Sequence, residues 1–180
     1  MKSRKPKLLL HVCCGVCGTW VPELLSKDFA VDLYYFNPNI QPKEEYLSRL
    51  EAARRAGRRL GLKLIEGEYD PKPWFAAVRG LENEPEGGKR CAVCFDFRLR
   101  QTAFFAKRGF YEYFASTLTI GRNKPARTID QIGHKWAKEF GVKFFPGDWK
   151  KKGGQIESDG RARRMGLFRQ NYCGCVYSMR

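Results

Sequence analysis

Leu8-Leu9-Leu10-His11-Val12-Cys13-Cys14-Gly15-Val16-Cys17-Gly18-Thr19 decides how the rest of the chain is read. Leu8 to Val12 is a short, nearly unbroken apolar run, bounded by a turn, and reads as a buried strand ending at Cys13. Gly15 to Gly18 is a turn of small residues, and a short helix is expected near Val21 to Ser26. A buried strand that turns straight into a helix is the opening unit of an α/β fold.

Working outward, the alternation continues. Ala30 to Phe36 reads as a second strand, stopped by Asn37-Pro38. Pro42 opens a helix over about Lys43 to Leu60, with Tyr46, Leu47, Leu50, Ala53, Gly57 and Leu60 on its apolar side and Gly61 ending it. Lys63 to Glu66 is a third strand. The Pro- and Gly-rich segment 70–90 is loop around a short helix near Trp74 to Arg79. Cys91 to Lys107 reads as a helix with Cys94, Phe97, Gln101 and Phe105 along one side. Tyr113 to Thr117 is a fourth strand. Thr128 to Phe140 is a helix with Ile129, Ile132, Trp136 and Phe140 as its stripe, and Val142 to Phe145 is a fifth strand. A basic helix near Glu157 to Met165 leads to Cys173-Gly174-Cys175. This order predicts one Rossmann-like α/β domain over residues 1–180, with a mostly parallel sheet of about five strands and helices on both faces. The segment 150–180 is expected to fold back and bring Cys173 and Cys175 to the site. In open sheets of this kind ligands bind beyond the C-terminal ends of the strands, where Cys13, Cys14 and Cys17 fall.

Charge narrows the partners. Among 180 residues, 34 Lys and Arg stand against 19 acidic residues, a net charge of +15. Part of such an excess is ordinary solvated surface, but its clustering favours a polyanion. Arg54, Arg55, Arg58 and Arg59 make a helical stripe; Lys150, Lys151, Lys152, Arg161, Arg163 and Arg164 form a second region, and Lys2, Arg4, Lys5 and Lys7 a third. No stretch reaches the roughly 20 apolar residues of a membrane span, and the run after the basic start is too short for a signal-peptide core. A cytoplasmic protein with no membrane partner is expected.

Seven cysteines is the informative count. An odd number of clustered thiols without an export signal points to metal or redox chemistry rather than to a disulfide scaffold. Cys91 and Cys94 share a helix face and reach one centre. Adjacent Cys13 and Cys14 diverge too much to chelate one tetrahedral zinc comfortably, but serve different irons of a cluster or two neighbouring metals. Four thiolates hold a [4Fe–4S] cluster. Cys173-Gly174-Cys175 suits cycling between dithiol and strained disulfide, and a leftover thiolate such as Cys17 is a candidate ligand for a second metal. Zinc bound by Cys91, Cys94 and one other pair is the competing reading. His11 reads as a packed strand residue and His134 as a surface one.

At this point the residues carry a resemblance. Leu10-His11-Val12-Cys13-Cys14-Gly15-Val16-Cys17 resembles the opening motif of the QueH-type epoxyqueuosine reductases. Tyr35-Phe36-Asn37-Pro38-Asn39-Ile40 with Glu44-Glu45-Tyr46, Arg90-Cys91-x-x-Cys94 with Arg98-Leu99, Tyr113 to Leu118, and Phe168-Arg169-Gln170-Asn171-Tyr172-Cys173-Gly174-Cys175 with Ser178 resemble later blocks, in order. The resemblance implies the last step of queuosine synthesis: an epoxide on the modified wobble base of a tRNA is reduced to an alkene with loss of water. It implies a [4Fe–4S] cluster on Cys13, Cys14, Cys91 and Cys94, no cobalamin, a redox-active Cys173/Cys175 pair and an external electron donor. Gly15-Val16 stands where the family commonly has Ala-Pro, and Gln155-Ile156-Glu157-Ser158 departs from an expected aromatic followed by Arg-Ser.

With that chemistry, Cys17 is the candidate ligand of an additional iron ion, and Tyr172, His11 and Asp96 are candidate proton donors, each read first as a structural residue. Tyr35, Phe36 and Tyr172 are candidates to stack on an extruded base, with core packing the stronger reading of Phe36. Arg54, Arg55, Arg58, Arg59, Lys150, Lys151 and Lys152 are the expected phosphate contacts. A zinc-stabilised RNA-binding module without catalysis is the alternative. A thiol oxidoreductase acting on proteins fits the charge less well, and an ATP-using tRNA-modifying enzyme would need a Ser-Gly-Gly run where the cysteines stand.

Overall fold

The computed structural model describes residues 4–151 and 153–179. Five strands, β1 (Lys7–His11), β2 (Ala30–Tyr35), β3 (Leu64–Glu66), β4 (Tyr113–Ser116) and β5 (Lys143–Phe144), form one sheet in the order β3-β2-β1-β4-β5. Every neighbouring pair is parallel. The helices are α1 (Val21–Leu25), α2 (Lys43–Leu60), α3 (Lys72–Ala77), α4 (Lys89–Arg108), α5 (Ala126–Phe140) and α6 (Gly154–Arg164). Among the described residues no helix is long and apolar enough to cross a membrane.

β1 is central, so its leucines are covered on both sides. Side chains alternate across a strand. Leu8, Leu10 and Val12 therefore join one core with Val21, Leu50 and Ala53, while Leu9 joins the other with Leu99, Phe114 and Ile129. Burying each leucine is worth roughly 1.5–3 kcal/mol, which is why an uninterrupted apolar run occupies this position.

α2 sits lower on the sheet than its apolar periodicity implies. Ala52, Ala53, Ala56 and Gly57 face inward, whereas Leu47, expected on the buried side, is 49 % exposed. Small side chains let the helix axis approach the sheet, and that turns Leu47 outward. Gly61 closes α2 in the left-handed conformation at φ 65°. β5 is shorter than the four residues expected: only Lys143 and Phe144 pair, with Tyr113 and Phe114. Gly141 caps α5 just before it, and Pro146 follows.

The chain order reverses between β1 and β4. Both strands deliver their C-terminal ends to one crevice, where a ligand has access to two loops at once.

Candidate functional site

His11 ties the crevice together. Its ring is buried; Nδ1 lies 3.1 Å from the Ser116 hydroxyl and Nε2 3.1 Å from the Phe36 carbonyl, so one imidazole joins β4, β1 and the end of β2. Burial, with the Arg98 guanidinium beside it, pushes its pKa down to about 4. A neutral imidazole with both nitrogens engaged is a structural residue, as the strand reading expected, and not a free proton donor.

Past His11 the backbone turns tightly. Gly18 N–H donates to the carbonyls of Cys14 and Gly15, and Cys17 N–H donates to the Cys14 sulfur at 3.3 Å. Gly15 makes this turn possible: a Cβ there would lie 2.5 Å from the Ala52 Cβ and 2.7 Å from its carbonyl carbon. The family's common alanine therefore has no room above this α2. The result is a triad, with the sulfurs of Cys13, Cys14 and Cys17 all within 4.8 Å of one another. Hydrogen bonds from the Cys14 and Cys17 thiols, aided by Lys124 and Arg98, hold the Cys13 thiol well below its ordinary range. The contact with Cys13, with burial, pushes Cys14 up to about 12, and the contacts with Cys13 and Cys14, with burial, raise Cys17 well above its usual value.

A second group of thiols stands beside the first. Cys94 and Cys175 are buried against Trp74 and Val78, with Cys173 packed on them. Cys91 and Cys94 from α4, with Cys173 and Cys175, line a void of about 20 Å³. The Cys175 thiol, then Lys124 and the Ser178 hydroxyl 2.8 Å away, lower Cys173 to about 5; Cys175 is raised in exchange. Burial raises Cys91, whose sulfur also accepts the Gly87 N–H at 3.2 Å.

Two cations join the groups. Arg98 and Lys124 line both the small void and a cavity of about 350 Å³ that also exposes Cys13, Cys17 and Cys173. Arg98 is buried and donates to the Cys94 carbonyl at 3.2 Å and the Asn37 side chain at 3.4 Å. Among the described residues, neither cation forms an ion pair. A buried guanidinium without a counter-charge is costly, by several kcal/mol. Soft sulfur donors around it answer that cost if they are thiolates carrying a metal group of net negative charge. The residues therefore fit such a group. Sequence reading noted Arg98 only inside a motif and missed Lys124 altogether; its one signal is its place in the loop after β4, at the sheet's switch point.

The end of the chain reaches the same place. The Gln170 amide donates to the Cys14 sulfur at 3.0 Å, and Gln41 N–H donates to the Gly174 carbonyl at 2.8 Å. Tyr172 donates its hydroxyl to the Gln41 carbonyl and lines both the 350 Å³ cavity and an adjoining groove of about 600 Å³ with Phe168, Asn171 and Glu44.

Other expectations fall elsewhere. Tyr35 and Phe36 do not face the cavity: both are buried, Tyr35 donating to the Tyr46 carbonyl and Phe36 stacking with Tyr34 and Phe97. They are core because β2 lies beside the central strand. Asp96 accepts from Lys135 and Trp136 in the α4–α5 seam. His134 is exposed. Arg54 pairs with Glu66 and Glu51, Arg58 with Glu51, and Arg55 donates to the carbonyls of Met165 and Gly166, so three arginines of the α2 stripe are held by their own chain. Among the described residues, Arg59 alone of the four is without such a partner. The stripe occupies the C-terminal half of α2, whereas Arg49, one turn or more nearer its start, meets the Cys173 carbonyl. Lys150 donates to the Lys124 carbonyl at 2.6 Å, and Lys151 pairs with Asp148 at 3.5 Å. Lys152 and Lys2 lie outside the described residues.

The family model for epoxyqueuosine reductase QueH matches residues 8–180. A protein named epoxyqueuosine reductase QueH from Streptococcus pyogenes is 39 % identical over 183 residues, covering 98 % of this chain and 72 % of the relative. Relatives of the same name from Thermotoga maritima (36 % identical, 96 % of this chain and 90 % of theirs) and Dehalococcoides mccartyi (40 %, 96 % and 92 %) are of similar closeness. Among solved structures, a predicted subunit of tRNA methyltransferase from Methanocaldococcus jannaschii shares the fold, with TM-score 0.60 at 15 % identity over 85 % of this chain and 76 % of that one.

Proposed function

The chain belongs to the epoxyqueuosine reductase QueH family, an oxidoreductase family that reduces epoxyqueuosine to queuosine in tRNA, and from that premise we propose how its thiols divide the work. The reaction takes two electrons and two protons: both C–O bonds of the epoxide break, a C=C bond forms, and the oxygen leaves as water. Cys13, Cys14, Cys91 and Cys94 would hold a [4Fe–4S] cluster, which when bound would supply one-electron transfer at low potential for returning the oxidised pair to dithiol. Cys173 as thiolate and Cys175 as thiol supply two electrons and one proton as they join in a disulfide, and water supplies the second proton that the leaving oxygen takes up. An external electron donor then returns the disulfide to dithiol. Cys17, within 4.8 Å of Cys13 and Cys14, is the candidate ligand for an additional iron.

The remaining residues bind and orient. The modified base enters the 350 Å³ cavity over Tyr172, whose ring is the aromatic surface at its mouth. Arg98 and Lys124 face the same space and stabilise negative charge on the leaving oxygen. Arg122, which lines the cavity without an ion-pair partner among the described residues, meets the nearest phosphates. Arg59 and Lys151, far more exposed, add to the general field that draws tRNA in. The enzyme works in the cytoplasm, with its substrate.

One observation carries this reading: a single cavity is lined at once by Cys13, Cys17 and Cys173, from opposite ends of the chain, with Arg49, Arg98, Arg122 and Lys124 around them. The test is anaerobic purification, assay of iron and acid-labile sulfide, an electron paramagnetic resonance spectrum, and nucleoside mass spectrometry after incubation with epoxyqueuosine-containing tRNA and a chemical reductant. Iron, sulfide and new queuosine are expected. Zinc without sulfide would instead leave a zinc-stabilised RNA-binding module.

A further inference from the structure

One buried arginine stands outside this assignment. Arg49, on the inner side of α2, is 2 % exposed and holds Glu45 at 2.7 Å. Yet its fork does not end there. Nη2 donates to the Tyr172 carbonyl at 2.9 Å, Nη1 donates to the Cys173 carbonyl at 3.2 Å, and the guanidinium lies 5.1 Å from the Tyr172 ring centroid. The next carbonyl, of Gly174, accepts the Gln41 N–H. Three successive peptide units across the Cys-Gly-Cys segment are thus gripped from outside.

The grip fixes the glycine too. Gly174 adopts φ +99°, and a Cβ there would lie 2.8 Å from the Ile40 side chain and 3.1 Å from the Arg49 Nη1. The loop is seated between Ile40 and Arg49 so closely that only glycine fits. None of these contacts involves a sulfur atom. They act on the backbone that sets how the two sulfurs face each other.

We propose that Arg49 is a positioning residue for the Cys173/Cys175 pair, its guanidinium holding the 172–174 backbone in the arrangement of the dithiol and so setting the equilibrium between dithiol and disulfide. The proposal rests on the reading of these two cysteines as the redox pair. Lysine cannot replace the fork: one ammonium has no planar pair of donors to span two carbonyls. Losing the fork leaves two half-buried carbonyls unpaired in the dithiol state, which weakens that state relative to the disulfide.

The test uses the cluster-loaded enzyme equilibrated anaerobically in mixtures of reduced and oxidised dithiothreitol. Oxidised dithiothreitol takes two electrons from Cys173 and Cys175 as their S–S bond forms, and the Cys175 proton with one from solvent completes the reduced dithiothreitol. The fraction of disulfide is read by alkylation and mass spectrometry in the wild type, R49K, and E45Q/R49M, the last removing both buried charges so that no carboxylate is left alone. The equilibrium is expected to move about tenfold toward disulfide in both variants, about 30 mV to more negative potential for this two-electron couple, with the visible spectrum unchanged. Variants that titrate within twofold of a wild type that does cycle overturn the role of Arg49 and leave the redox pair standing. A wild type that forms no Cys173–Cys175 disulfide at any mixture overturns the pair, and this inference with it. Unfolding is monitored by circular dichroism, and if R49K loses its fold the double variant decides.

Discussion

The two thiol groups are built in opposite ways. Cys13, Cys14 and Cys17 come from one turn of backbone, closed by the bonds of Gly18 and Cys17 and seated on Ala52 through Gly15. Cys91, Cys94, Cys173 and Cys175 come from a helix and from the far end of the chain, and only tertiary contacts make them neighbours. The first group is a local object that the strand hands to the crevice. The second exists only when α4, α3 and the C-terminal segment are all in place. Arg98 and Lys124 stand between them, so charge in one group is felt in the other. The cluster would draw on both groups, through Cys13 and Cys14 of the turn and Cys91 and Cys94 of α4. Cys173 and Cys175, the part of the assembled group that hangs on a loop, suit a pair that must open and close.

That contrast breaks most severely at Cys94. Cys94→Ser removes a buried sulfur from the assembled group, and turnover on epoxyqueuosine tRNA should fall by about three orders of magnitude or more, together with iron and sulfide content. Retained iron and sulfide would place the cluster wholly on the local triad. Cys173→Ser separates the roles next: the visible spectrum should survive while turnover drops by about two to three orders of magnitude. Unchanged turnover would remove the redox pair.

Gly15→Ala tests the local group alone. Its Cβ meets Ala52 at 2.5 Å, and overpacking of that kind costs about 1–3 kcal/mol; urea unfolding of the metal-free protein measures it. The smallest effect concerns reactivity. With Cys173 lowered to about 5 and Cys175 raised, Cys173 is a thiolate across neutral pH and Cys175 a thiol. Iodoacetamide should therefore label Cys173 first, at a rate that holds on acidification until about pH 5 and falls below it. Equal labelling of the two would mean that the pair is not polarised.

Much of the fold was legible before any coordinates. The run Leu8–Val12 announced a strand covered on both faces, and Pro42, Gly61 and Pro146 punctuated elements because their backbone limits act locally. The misjudged positions are tertiary in origin. Leu47 lies on the helix face that periodicity would bury, but the small residues Ala52 and Ala56 drew α2 inward and rotated it away. Tyr35 was a candidate surface for a base and is core, because β2 borders the central strand, while Phe36 is core as its place at the end of β2 favoured. The arginine stripe was visible as charge, and its carboxylate and carbonyl partners were not, since Glu66 and Gly166 meet it only in three dimensions.

What the sequence determined by itself is the strand–turn–helix order, the identity of the thiols and the family that their spacing marks. These are short-range properties, written in neighbouring residues. Only the tertiary structure decided which thiols share a space, that Arg98 and Lys124 lie among them, and that Arg49 grips the loop carrying Cys173. Such contacts join residues far apart in the chain, some by more than a hundred positions, and their existence depends on how closely two buried surfaces pack, which no local pattern encodes.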